Sequence, residues 1–122
     1  MDQGEMLKIT FIEEFTSAEI LSGMDRKKSA VILLSKALFA VCDYIIWRKY
    51  KKLPKNHSER FRILELKEPE LYRQIDDVWV HYTDTYSKPS SEESYPFLHS
   101  AISTLCHHET IDQEIRAAVE KK

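Results

Sequence analysis

Residues 29–52 read SAVILLSKALFAVCDYIIWRKYKK, twenty-four positions without a glycine or a proline. Leu34, Leu38, Val41, Ile45 and then Trp47 or Arg48 recur at three- and four-residue intervals, and Val31, Ile32, Phe39, Cys42 and Ile46 widen the stripe. This spacing predicts a helix over roughly 25–52. A helix so apolar around its circumference lies at the centre of a bundle or against a second subunit. Its basic end, Arg48, Lys49, Lys51 and Lys52, complements the negative pole of a helix C-terminus, and Pro54 stops it.

Working outward, Met6, Ile9, Phe11, Ile12, Phe15, Ala18 and Leu21 predict an amphipathic helix over 5–21. Gly23 suits its C-terminal cap, because glycine tolerates the left-handed conformation. Downstream, Asn56 with Glu59 three residues on has the spacing of a reciprocal capping box. Phe61, Ile63, Leu64 and Leu66 give the helix it opens a short apolar face. Pro69 fits the first turn of a further helix carrying Leu71, Tyr72, Ile75, Val78, Trp79 and Tyr82. Residues 88–94, KPSSEES, read as an exposed loop. The last helix starts near Tyr95-Pro96, and capping-box spacing from Thr110 to Gln113 suggests a break near Glu109. Period-two alternation is absent throughout. The expected fold is all-α, a four- to five-helix antiparallel up-and-down bundle in a single domain over 1–122. Two glycines in 122 residues agree with few turns.

The chain is 43% apolar and 31% charged, as globular domains are. Its net charge of −2 is unevenly spread. Residues 1–25 hold six acids and one lysine, and residues 48–62 hold seven bases against Glu59. Residues 63–122 hold twelve acids and six bases. Such asymmetry steers an anionic partner to one site. Cys42 and Cys106 lie far apart in apolar runs, so they read as buried free thiols. The N-terminus MDQGEMLK has an early acid and no apolar core, unlike a signal peptide. The longest uninterrupted apolar stretch, Ala37 to Val41, is too short to span a bilayer. The expectation is a cytoplasmic protein without a membrane partner.

Ser35-Lys36-Ala37-Leu38 in the central helix, Asn56-His57 followed by Phe61 and Leu64, and Tyr82 and Tyr86 in HYTDTYS resemble the HEPN domain in their order. That family is a helical domain of higher eukaryotes and prokaryotes linked to nucleotide binding. The likeness covers residues 5–120. It implies a helical bundle, often a homodimer, that pairs with a small nucleotidyltransferase, in some cases as a toxin–antitoxin couple. Other members are ribonucleases, whose Arg is followed four to six residues later by a His. Here Arg73 precedes His81 with seven residues between, and Arg48 precedes His57 with eight, so no catalytic pair carries over.

Beside that resemblance, the residues offer three constellations. Arg73, Asp77, His81 and Asp84 form a polar strip, Arg73 and His81 lying roughly 80° apart around a helix. A histidine flanked by carboxylates can act as a general base, although ordinary ion pairs on a solvated face look the same. In RKYKKLPKNHSERFR, bases interleave with Tyr50, His57 and Phe61, which suits phosphate neutralisation and base stacking. The plain alternative is a basic helix end and a solvated loop. His99, Cys106, His107, His108 and Glu109 fail as a metal site, since adjacent histidines point about 100° apart. No glycine-rich phosphate loop, GxSxG or HExxH occurs. Trp47 and Trp79 read as core or interface anchors.

Taken with that resemblance, the chain is expected to be a binding or partner protein for nucleotide or RNA, with contacts at Arg48, Lys51, Lys52, Lys55, Asn56, His57, Tyr82 and Tyr86. The resemblance implies a homodimer and a nucleotidyltransferase partner, and the residues offer no cofactor or metal site. The alternatives are a metal-independent endoribonuclease using Arg73 and His81 in a variant spacing, or a structural module without ligand.

Overall fold

The computed structural model describes residues 2–78, 82–83 and 93–120. Those residues form helices and turns and no strand. The elements are α1 (Gln3–Gly23), α2 (Lys27–Tyr50), α3 (His57–Lys67), α4 (Pro69–Ile75), α5 (Ser94–Leu105) and α6 (Gln113–Glu120). Among the described residues there are six helices where four or five were expected. The extra one arises because the last segment does break, at residues 106–112. There the Asp112 carboxylate, rather than Thr110, caps the new helix by accepting the Ile115 amide at 3.1 Å. The exposed loop expected at 88–94, together with Trp79, lies almost wholly outside the described residues.

Each helix end has a local cause. The Asp2 side chain accepts the Glu5 amide at 2.8 Å and starts α1. Gly23 does not cap it: the helix runs through that residue, Met24 is the cap, and Asp25 takes the left-handed conformation with φ 61°. Aspartate tolerates this region better than most residues, so glycine is not required there. Helix α2 ends at Lys51, also left-handed with φ 56°. Asn56 caps α3 through Glu59 N at 2.9 Å. The return bond of the expected capping box shifts by one residue, Glu59 Oε1 accepting from Lys55 N at 3.2 Å.

Helix α2 is the axle. Residues 37–46 are buried without interruption, so the helix is covered on every side. It packs on α1, α3 and α5, while α6 closes against α1 and α5. Phe11 and Phe15 of α1, Leu34, Leu38 and Ile45 of α2, Leu98 and Ile102 of α5, and Ile115 of α6 are fully buried in one core. Helix α2 is also long and apolar enough to cross a membrane by length and composition, with a mean hydropathy of 1.9 over its best window. Ser35, Lys36 and Asp43 interrupt the apolar run without lowering that average far. Of that window, 78% is buried inside the protein, the condition of a core helix.

Candidate functional site

A core helix with one acid in its middle must find that acid a partner. Asp43 sits between Cys42 and Tyr44 and finds Arg60 of α3. Arg60 Nε donates to Asp43 Oδ1 at 2.6 Å and Nη2 to Oδ2 at 3.0 Å, a two-pronged pair. Both side chains are 11% exposed. The same guanidinium reaches His57: Arg60 Nη1 lies 2.6 Å from His57 Nδ1. Arginine is only a donor, so Nδ1 accepts, and the neutral ring carries its proton on Nε2. Arg60 also lies over the Phe39 ring, 5.0 Å from its centroid.

Aromatic rings enclose the imidazole. Phe39 is 4.6 Å from it centroid to centroid, Tyr82 5.7 Å and Phe61 6.5 Å. Phe39 and Tyr82 meet edge to face at 5.2 Å. The cluster opens into a cleft of about 290 Å³ between α1, α2 and α3, with Lys36 and Glu14 among its walls. Burial pushes the Asp43 carboxyl above its usual range, and hydrogen bonding and charge from Arg60 pull it back. Burial, then the charge of Arg60, hold His57 below its ordinary value, against an opposing pull from Asp43.

The structure divides the residues expected to bind nucleotide. His57 and Tyr82 meet in this cleft, with Asn56 beside it as the cap of α3. Arg48 and Lys51 line a different cavity of about 370 Å³ with Tyr44 and Trp47. There Arg48 donates to the Tyr44 hydroxyl at 2.7 Å, and Lys51 Nζ lies 5.7 Å from the Trp47 ring. Lys52 and Lys55 are exposed on the connection that leads into α3. The basic stretch is thus not one surface. A tight turn at its middle, where Lys51 is left-handed and Pro54 buried, turns its two halves apart. Arg73 is exposed and pairs with Glu70 one turn away at 2.8 Å. His81, Asp84 and Tyr86 lie outside the described residues.

Two further clusters hold helices together. Lys8 donates to Glu114 at 2.8 Å and also contacts Glu5 at 2.8 Å and Asp112 at 3.1 Å, joining α1 to the start of α6. Those bonds, Glu114 first, keep its ammonium protonated well above the usual lysine range. Glu68, at the α3–α4 corner, accepts from Lys49 at 2.7 Å and from the Tyr50 hydroxyl at 2.5 Å. His108 Nε2 adds a bond to the same carboxylate at 3.3 Å, with Nδ1 accepting the Thr110 amide at 3.2 Å. His99 instead packs between the Phe15 and Tyr95 rings. Among the described residues, no group of three or more His, Cys, Asp or Glu side chains is placed to hold a metal. Cys42 and Cys106 are buried free thiols, and burial pushes Cys106 up to about 12.

Sequence reading missed Asp43, quoted Lys36 only within the string Ser35-Lys36-Ala37-Leu38 and gave it no binding role, and counted Arg60 only as one base of the loop. The available signal was the single carboxylate inside an apolar helix, which burial obliges to pair. No family model, curated protein or solved structure matches this chain, so its physical reading rests on these contacts alone.

Proposed function

We propose that this chain is a HEPN-like antiparallel up-and-down helical bundle that binds nucleotide or RNA at the cleft between α2 and α3. In that reading it acts in the cytoplasm as the partner of a small nucleotidyltransferase. The observation that supports it is the Asp43–Arg60–His57 chain. An ion pair buried in a core is usually no more stabilising than well-packed apolar residues of the same volume. Its presence beside an open cleft therefore favours a role in recognition. Arg60 orients the imidazole and sets its tautomer. Phe39 and Tyr82 supply ring faces for a base, and exposed Lys36 supplies a cation for a phosphate.

Because Asp43 offsets Arg60 and Glu14 offsets Lys36, the cleft itself is close to neutral. Salt dependence should then come mainly from the exposed Lys52 and Lys55 on the way into α3, beside the one phosphate contact at Lys36. Titrating a mononucleotide and a short single-stranded RNA separates the two contributions. His57→Ala should weaken both ligands by about tenfold at any salt concentration, the loss of one good polar contact, and Lys36→Ala by about tenfold at low salt and by less as salt rises. A Lys52→Ala/Lys55→Ala chain should lower the slope of log affinity against log salt for RNA by about 1.4, near 0.7 per lost phosphate contact. Failure of either ligand to bind at millimolar concentration would sink the reading. A second reading, metal-independent RNA cleavage, draws on the same Arg60–His57 contact. Strand scission in the presence of a chelator, lost in His57→Ala, would replace binding by catalysis.

A further inference from the structure

The first turn of α1 and the last turn of α2 meet at Gly4, where a β-carbon would lie 3.4 Å from both the Asp2 carboxylate and the Trp47 ring. Beside that contact opens the cavity of about 370 Å³. Asp2 and Glu5 line it from α1, and Arg48 and Lys51 line it from the end of α2.

Opposite charges around one cavity ordinarily close on each other. Among the described residues, neither of these acids pairs with either of these bases. Each is held by another group. Asp2 Oδ1 accepts the Glu5 amide at 2.8 Å. Glu5 Oε2 is tied at 2.8 Å to Lys8, which Asp112 and Glu114 anchor in turn. Arg48 donates to the Tyr44 hydroxyl at 2.7 Å. Lys51, left-handed with φ 56°, sets its ammonium 5.7 Å from the Trp47 ring. Among the described residues these ties leave one oxygen each of Asp2 and Glu5 without a donor. They also leave most side-chain N–H groups of Arg48 and Lys51, and the indole N–H of Trp47, without an acceptor.

The lining charges balance, Asp2, Glu5 and Asp112 against Lys8, Arg48 and Lys51. A simple anion is repelled by the acids and a simple cation by the bases, whereas a molecule carrying both charges is complementary to both. The half-buried indole of Trp47 beside them suits a flat apolar side chain. We propose that this cavity binds a free α-amino acid with an aromatic side chain, its carboxylate on Arg48 and Lys51 and its ammonium on Asp2 and Glu5.

Titration of the whole chain with phenylalanine, read by calorimetry and by the Trp47 indole N–H resonance, tests the proposal. Trp47→Phe assigns that resonance. Two truncated probes separate the charges: phenylpropionate lacks the ammonium, and phenethylamine lacks the carboxylate. Phenylalanine should bind with a dissociation constant below roughly 1 mM. Each truncated probe should bind at least about tenfold more weakly, the loss of one charge-assisted contact. Leucine should bind about threefold more weakly, for want of a ring. The double change Asp2→Asn/Glu5→Gln keeps the α1 cap, because asparagine caps as well as aspartate. It should weaken phenylalanine about tenfold without weakening phenylpropionate, a change of ratio that a mere loss of structure would not produce. Lys51→Gly, which suits the left-handed turn, should weaken phenylalanine about threefold and leave phenethylamine no weaker. A wild-type chain that ignores phenylalanine at about 10 mM, or that binds phenylpropionate, phenethylamine or leucine as tightly, would overturn the proposal. The cavity shares no lining residue with the α2–α3 cleft, so its failure and that of nucleotide binding are separate results.

Discussion

Removing the buried pair tests whether Asp43 and Arg60 serve stability or recognition. Asp43→Leu leaves the Arg60 guanidinium, among the described residues, with His57 and the Phe39 ring. Arg60→Met leaves a carboxylate in a core that already disfavours its charge. Breaking a buried pair from one side costs about 3–5 kcal/mol. Both side chains keep 11% exposure, so the lower end applies, about 3 kcal/mol for each single change. At roughly 4 °C per kcal/mol for a domain of this size, each should melt about 12 °C lower. The Arg60→Met penalty should shrink as pH falls, because protonation discharges the stranded Asp43. The double change Asp43→Leu/Arg60→Met leaves no charge to strand and should fall within about 1 kcal/mol of wild type. Urea unfolding followed by helical ellipticity measures all four chains, and a mononucleotide titration of the double variant measures recognition. If the double variant is as unstable as the worse single change, the pair is a structural necessity and the reasoning fails. If it is stable and binds ligand as well as wild type, the pair has no part in recognition.

Two further outcomes follow from the same contacts. His57 should titrate below 6.5 in a proton NMR series, and Asp43→Asn should lower it further, since Asp43 is what pulls it upward. The sign for stability is set by that depression: the contribution of His57 is present above the unfolded histidine value and is lost as pH falls through the folded one. An unchanged or raised value in Asp43→Asn would contradict the network. Ser35 is fully buried and its hydroxyl has no hydrogen-bond partner among the described residues. Ser35→Ala should therefore stabilise the chain by about 1 kcal/mol in urea unfolding, and a loss of stability would reveal a bond to that hydroxyl.

The helical fold was legible because apolar side chains at three- and four-residue steps must be hidden, and that period is a local property of the chain. Residues 29–52 alone implied a central helix, and the uninterrupted burial of residues 37–46 is what such a pattern requires. Helix ends were half legible. Asn56 capped as its spacing implied, because a cap is made within four residues. Gly23 did not, because the turn placed its left-handed residue at Asp25 instead. The cleft was legible only in part. His57 was named from its neighbours in sequence, yet its partner Asp43 lies fourteen residues away, on another helix. The basic stretch 48–62 looked like one surface, and a turn at Lys51 and Pro54 divided it, with Arg48 and Lys51 at one cavity, His57 and Arg60 at another, and Lys52 and Arg62 at a third. Periodicity tells each helix which side to bury. Only the way the helices cross decides which charges from distant turns meet, since that depends on packing among all of them at once.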